Sequence, residues 1–332
     1  MPAEHEPTLK DVAAAAGVAV MTASRAFSKP DLVAQATREK VLSAAQQLGY
    51  RHNALAAAMR SSQSGLVGVI VTNIDNPFHS KLARGIDEVL TANSRRMLLG
   101  HSQDDPKREA ELIRDMRSWR VEGLIAVPAL ASTPPEARFA GLPTVLAGRA
   151  GKTGALNQVT VDDERGAQEA TADLIARGAR RIAFIGNEEK ITTTTTRLSG
   201  YLAALGENGI RRDDSLIRLG CRSVDDAKRV AKQLHSQLQP DAFFGVNNQI
   251  TLGVLEASAG FAAPPLISGF DGMDFADLLR APVSLVSYDP AELGARAATL
   301  LLESLENPEA PPRHDVLPVR LLHYGGNVTD AN

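Results

Sequence analysis

The sequence predicts an all-α helix-turn-helix headpiece followed by an α/β core of two lobes, each a parallel sheet flanked by helices. Three observations lead there. Residues 8–48 carry helical spacing interrupted by a glycine turn. From Leu66 onward, short apolar runs alternate with amphipathic stretches, as in parallel sheets covered on both faces. Charge is also divided: residues 8–63 carry a net +4 and the remainder −7 within an overall −3. A small basic head on an acidic body is the asymmetry expected when only the head meets phosphate.

The chain has 332 residues, which suggests two or three domains and cores large enough to need no staples. Its single cysteine, Cys221, excludes an intrachain disulfide and fits a reducing compartment. No apolar run reaches membrane-spanning length, and MPAEHEPTLKD lacks the basic and apolar regions of an export signal. The expected location is cytoplasmic, with no membrane partner.

In the head, Thr8 and Asp11 form a capping-box pattern before an alanine-rich run, and Gly17 stands where a left-handed residue would end that helix. Gly17, Val18 and Ala19 are then the turn before a second helix from about Val20 to Phe27. A third has Thr37 as a candidate N-cap, Val41, Ala45 and Leu48 on one face, and a stop at Gly49. HNALAAAMR (52–60) has Asn53 as N-cap but is too short to be a stable helix alone, so it reads as a conditional helix before the tether SSQSG. The core strands are expected at LVGVIV, RMLLG, GLIAV, PTVLA, RIAFIG, DAFFGV, PLISGFD and SLVSYD. The five threonines at 192–196 read as a loop before a helix starting near Arg197. In open α/β folds ligands bind at the carboxyl ends of strands, so the cleft between the lobes is the expected pocket.

Enzymatic signatures are missing from the sequence. It contains no phosphate loop, no dinucleotide-binding glycine pattern, no nucleophile elbow and no histidines or cysteines at metal spacing. Asp104–Asp105, Asp162–Asp163 and Asp213–Asp214 are adjacent acids of the kind that are solvated or cap helices. No cofactor or metal is expected.

The motifs TLKDVAAAAGVAVMTASRAF, TREKVLSAAQQLGYRHNALA, NPFHSKLARGIDEVL, VTVDDERGAQEAT, RIAFIG and GFDG occur in order along nearly the whole chain. On these residues the sequence resembles the LacI/GalR family of bacterial transcription regulators, and MTASR and SWRVEGLI are most similar to its gluconate-type repressors. The resemblance implies a headpiece (1–51), a hinge (52–64) and a periplasmic-binding-protein-like core (65–332). The amino lobe would take about 65–165 and 290–320, the carboxyl lobe about 166–289 and 321–330.

The resemblance makes residues 20–28 the recognition helix, lying in the major groove. Arg25 can then donate to guanine O6 and N7, worth about 1–3 kcal/mol of discrimination, while Val20 and Met21 press on thymine methyls. Thr22 and Ser24 suit phosphate oxygens, and Thr8 joins them among the DNA-contacting residues. Spacing alone leaves Val20 open, because Val20, Ala23 and Phe27 also fit a core stripe; Phe27 is assigned to the core. Ala19 stands at an N-cap position usually held by a hydroxyl residue. Within the hinge, Asn53 would cap a helix that forms in a dimer on DNA, Ala56 would approach the minor-groove floor, and Met59 would wedge between base pairs.

For the effector cleft the resemblance implies Asn76 and Phe78 on the amino lobe, with Arg197, Arg222, Asn247, Gln249 and Asp271 on the carboxyl lobe. Gly148 and Asn248 both replace a carboxylate common in the family. Together with Arg197 and Arg222 this points to an anionic effector, a sugar acid such as gluconate or a keto-gluconate, free or phosphorylated; the competing reading pairs these arginines with local carboxylates. The expected assembly is a homodimer on a pseudo-palindromic double-stranded operator, repressing carbohydrate or sugar-acid utilisation genes under effector control. Two other classes stay open on the residues themselves, a sugar-binding transport protein and a sugar-modifying enzyme; residues 8–60 argue against the first and the missing catalytic sets against the second.

Overall fold

A computed structural model describes residues 7–28, 32–50, 64–129, 134–151 and 154–325. It divides into two units at Gly65.

The first unit contains α1 (Leu9–Ala15), α2 (Val20–Ser28) and α3 (Gln35–Leu48). Asp11 explains the start of α1, since its carboxylate accepts from both the amide and the hydroxyl of Thr8 at 2.7 Å. Gly17 ends the helix at φ +65°, where a side chain would be strained. Ala19 then offers its carbonyl to the amides of Thr22 and Ala23, so α2 begins without a side-chain cap. Val12, Ala23, Ala26, Val41 and Ala45 form the small core, with the Phe27 and Tyr50 rings packed against it 5.9 Å apart. Val20 is 44% exposed, which answers its open question: it is not core. Thr37 does not cap α3, which starts two residues earlier; Ala34 takes the cap position and accepts from Thr37 and Arg38.

In the second unit, β1 (Leu66–Val71), β2 (Arg96–His101), β3 (Gly123–Ala126), β4 (Thr144–Ala147) and β5 (Asn157–Val161) build one lobe. β6 (Ile182–Ile185), β7 (Ile217–Arg218), β8 (Ala242–Gly245), β9 (Leu266–Phe270) and β10 (Val283–Ser287) build the other. The returning strands β11 (His314–Leu317) and β12 (Arg320–Tyr324) complete six-stranded sheets in the orders β11-β5-β4-β3-β1-β2 and β12-β10-β9-β8-β6-β7. All pairings are parallel except β12 against β10. The chain therefore crosses between lobes after β5, after β10 and between β11 and β12.

The helices α4 (Pro77–Ala92), α5 (Pro106–Ser118), α6 (Asp163–Ala176), α7 (Thr192–Glu207), α8 (Val224–Leu238), α9 (Asn248–Ser258) and α10 (Pro290–Glu306) cover the sheets. Six of them lie in the pairs α4 with α10, α6 with α7 and α8 with α9, while α5 packs on β1 and β2. Glycines set three of the closest approaches. A Cβ on Gly85 would strike the Ala291 carbonyl and one on Gly294 the Leu82 carbonyl, fixing α4 on α10. Gly200 does the same for α7 on α6, and Gly253 for α9 on α8. The adjacent acids sort by geometry: Asp105, Asp162 and Asp213 each accept from a backbone amide at the start of a helix.

Three expectations need correction. RMLLG is an edge strand rather than a buried one, with Leu99 41% exposed, because nothing pairs beyond β2. The threonine run is the first turns of α7, not a loop. The Thr195 hydroxyl bonds back to the Thr192 carbonyl, so this polar group is satisfied inside the helix. Strand β5 escaped the apolar pattern because Gln158 and Thr160 are buried with partners, the Gly151 amide and His314.

Replacing Gly294 by valine forces α4 and α10 apart and lowers the unfolding free energy by about 1–3 kcal/mol. Gly206→Ala, near the end of α7 with open space around it, stabilises by about 0.4–1 kcal/mol. Urea midpoints at unchanged slope measure both.

Candidate functional site

On α2 the side chains divide by face. Ala23 and Ala26 are buried, whereas Met21 is 66% exposed beside exposed Val20 and Arg25. Arg25 has no ion-pair partner among the described residues. Thr22 and Ser24 are half-buried at the sides of this face. Thr8 is exposed, and its hydroxyl hydrogen is engaged by Asp11. A helix face with two large apolar groups and one unpaired guanidinium can insert into a groove with base edges and methyl groups to meet it. Asn53, Ala56 and Met59 lie outside the described residues.

The second unit opens a cleft at the carboxyl ends of its strands, and one polar contact joins the lobes across it. Asn76, after β1, caps α4: its Oδ1 accepts from the Phe78 amide at 3.0 Å. The same oxygen accepts from Asn248 Nδ2 at 2.8 Å, and Asn76 Nδ2 donates back to Asn248 Oδ1 at 3.1 Å. Asn248 opens α9 in the other lobe, and both amides are more than nine-tenths buried. An aspartate at 248 would present only acceptors to the Asn76 oxygen; asparagine makes the contact reciprocal. Lys81 and Asp274 form a second, exposed tie between lobes, and Phe78 meets Tyr288 edge-on at 6.4 Å.

Arg197 is built into the carboxyl lobe. It is 5% exposed, with Nε on Asp163 Oδ1 at 2.7 Å, Nη1 on the Val246 carbonyl and Nη2 3.5 Å from Asp271 Oδ1. Its guanidinium lies 3.5 Å from the centroid of Phe270. Burial pushes the Asp163 carboxyl up to about 6, with Arg197 pulling against that shift. Burial also opposes the charge of Arg197, yet Asp163 and Asp271 raise its pKa above the ordinary value. Asp271 accepts from the Tyr288 hydroxyl at 2.9 Å and sits at φ +67°. The competing reading of Arg197 is therefore what the geometry shows: its charge is matched by neighbouring carboxylates.

Arg222 is different in kind, because its side chain is 71% exposed, though it too meets a carboxylate, Glu188, at 2.8 Å. Asn247 caps α9 through the Ile250 amide and donates to Asn187 at 2.8 Å. Asn76, Arg222, Asn247 and Gln249 line one polar cavity of about 330 Å³. Phe78, Arg197 and Asp271 instead line a smaller pocket of about 80 Å³, shared with Asn76 and Asn247. Gly148, at φ +75°, leaves room for the Phe78 ring, whose tip a Cβ there would approach to 3.1 Å.

Both units match known families. Residues 8–53 match the family model of bacterial regulatory proteins of the lacI family, and residues 64–322 match the model of periplasmic binding proteins and the sugar binding domain of the LacI family. The chain belongs to the LacI family. Catabolite control protein A of Staphylococcus epidermidis is 30% identical over 324 residues, covering 96% of this chain and 98% of that protein. Among solved structures, the CelR–cellobiose complex is 26% identical with a TM-score of 0.70 over 96% of this chain and 100% of that one. The lac repressor dimer bound to operator and the anti-inducer ONPF shares the fold, with a TM-score of 0.82 at 23% identity over 95% and 97%. Like its LacI-family relatives, the protein is a DNA-binding regulator of transcription and not an enzyme. Among the described residues, no helix is long and apolar enough to cross a membrane.

Within this LacI-family cleft, sequence reasoning missed Thr72, His79, Asp104, Arg149 and Asn187, which line the same 330 Å³ cavity. Arg149 pairs with both carboxylate oxygens of Asp104, at 2.8 and 3.2 Å. The double acid DD at 104–105 concealed this, since only its second member caps a helix. His79 follows NPF directly and had no signal beyond that adjacency. Arg197→Ala would strand Asp163 and Asp271 and is expected to destabilise by about 3–5 kcal/mol. Arg222→Ala, at an exposed pair, changes stability by less than about 0.5 kcal/mol; urea unfolding separates the two.

Proposed function

We propose that the protein is a homodimeric repressor that binds a pseudo-palindromic operator and controls carbohydrate-utilisation genes through a small molecule in its interlobe cleft. The observation that carries this reading is the exposed trio Val20, Met21 and Arg25 on α2, whose guanidinium meets no carboxylate among the described residues while Ala23 and Ala26 of the same helix are buried. In this reading Thr8, Thr22 and Ser24 contact phosphates. Asn53, Ala56 and Met59 supply a hinge helix to the minor groove when two copies meet on DNA. Residues 1–51, 52–64 and 65–332 are reader, hinge and sensor.

Control follows from the amide pair between Asn76 and Asn248. A ligand entering beside these residues alters the contact that sets the lobes against each other. A coupling of about 1–3 kcal/mol between cleft and operator is enough to change occupancy. The names of similar proteins, catabolite control protein A and a regulator in complex with cellobiose, support a carbohydrate-linked role.

For the effector, the cleft arginines favour an uncharged carbohydrate, because Arg149, Arg197 and Arg222 are each matched by a carboxylate. A sugar acid such as gluconate is the second reading. It is favoured by one observation, the exposure of Arg222, whose Glu188 partner a ligand carboxylate would displace. Calorimetry with gluconate, a keto-gluconate, a phosphosugar and neutral sugars decides: binding of neutral sugars alone rejects the acid.

Arg25→Ala is expected to reduce preference for duplexes selected by the wild type over random duplex by roughly 5- to 150-fold, the equivalent of about 1–3 kcal/mol. Effector affinity should stay within about twofold, since Arg25 belongs to the other unit. Gel shift and calorimetry on the same preparation test both; retained specificity removes α2 as the reader.

A further inference from the structure

His79 lies in the first turn of α4 at the wall of the 330 Å³ cavity, and the fold satisfies one end of its ring. The residue is 6% exposed. Nε2 is 3.1 Å from Thr72 Oγ1, whereas the buried Nδ1 has no partner among the described residues. The Phe78 ring stands edge-on to the imidazole at 4.9 Å and limits its rotation. Leaving a buried nitrogen unbonded carries a desolvation cost, so a ligand that bonds it gains selectively. We infer that His79 is a specificity-determining residue of the cleft and that its Nδ1 reads a hydroxyl group of a carbohydrate.

This rests on the effector reading above and adds the chemistry at one atom. Thr72 can donate to the ring or accept from it, so either neutral tautomer is accessible. Nδ1 is a donor in one and an acceptor in the other. A ligand hydroxyl serves both; a carboxylate or phosphate can only accept, and an ammonium can only donate. Burial keeps the ring neutral. Burial lowers His79 from 6.5 to about 3, Arg149 adds to the effect and Asp104 opposes it. Arg149 and Asp104 are paired to each other, so the wall near His79 presents no uncompensated cation to an anion. Asp75, His101, Glu188 and Arg222 complete the ionisable groups lining the cavity. In a sugar acid the carboxylate would therefore meet Arg222, leaving hydroxyls for His79.

The test uses the full chain and four probes, D-glucose, D-ribose, cellobiose and gluconate. Binding is measured by calorimetry for the wild type, His79→Leu and His79→Gln at pH 5.5 and pH 8. A probe that binds the wild type should bind at least tenfold more weakly to His79→Leu, which has no polar atom. His79→Gln, which offers both a donor and an acceptor, should recover to within threefold. A His101→Gln background removes the other imidazole of the cavity. There, the tenfold loss for His79→Leu should persist at both pH values, which separates the two rings. Equal binding by His79→Leu overturns the inference, with gel shift of the selected duplex showing that the variant is folded. If none of the probes binds a wild type that still shifts DNA, the carbohydrate reading itself fails and takes this inference with it.

Discussion

The reciprocal amide contact between Asn76 and Asn248 is the constraint on which the cleft depends. Asn76 follows β1 and caps α4, so the contact couples the start of a helix in one lobe to the first residue of α9 in the other. Each amide both donates and accepts, and each also caps or accepts from its own backbone. Both groups are buried, so separating the lobes exposes four polar functions whose bonds must be remade with solvent or ligand. A contact of this kind has two arrangements, made and broken. That gives the sensor a switchable element rather than a continuously deformable one.

Electrostatics then divides the cleft into working and structural parts. Arg197 is held between Asp163, Asp271 and the Phe270 face, and its charge supports the carboxyl lobe. Arg149 is similarly matched by Asp104 in the amino lobe. Arg222 alone of the three is mostly exposed, so it can change partners at little desolvation cost. Around these ions, His79 Nδ1 and His101 Nδ1 are buried polar atoms without a partner among the described residues. A pocket with paired charges and an open hydrogen-bonding site suits a ligand recognised by hydroxyls. On α2 the pattern is reversed, with a cation that meets no carboxylate among the described residues set beside the exposed Val20 and Met21.

Much of this was legible in the sequence, and the exceptions have physical causes. Strands such as LVGVIV and DAFFGV are continuous apolar runs because both faces of their sheets are covered. Gly17 and Gly49 mark helix ends because each adopts a positive φ. What resisted reading were residues whose polarity is compensated in three dimensions. Gln158 and Thr160 hid β5, and the threonines of α7 looked like a loop because back-bonding within a helix leaves no periodic trace. Arg197 looked like an anion anchor because its partners, Asp163 and Asp271, lie 34 and 74 positions away in the chain. Asn248 read as a carboxylate removed from the pocket, whereas its amide is turned to Asn76. Val20 was undecidable from spacing and became readable once Ala23, Ala26 and Phe27 were seen to supply the core face of α2, leaving Val20 exposed.

The account's central claim is that the state of the lobe contact governs the grip of a reader in the other unit. The most direct measurement is the dissociation constant for a selected palindromic duplex, without small molecules, for the wild type and for Asn248→Asp. That change replaces the reciprocal amide by a carboxylate facing the Asn76 oxygen and leaves residues 1–65 untouched. A shift of at least about fivefold in DNA affinity, the lower end of typical allosteric coupling, is the predicted result. Affinity unchanged within twofold, with the variant folded, would contradict the account.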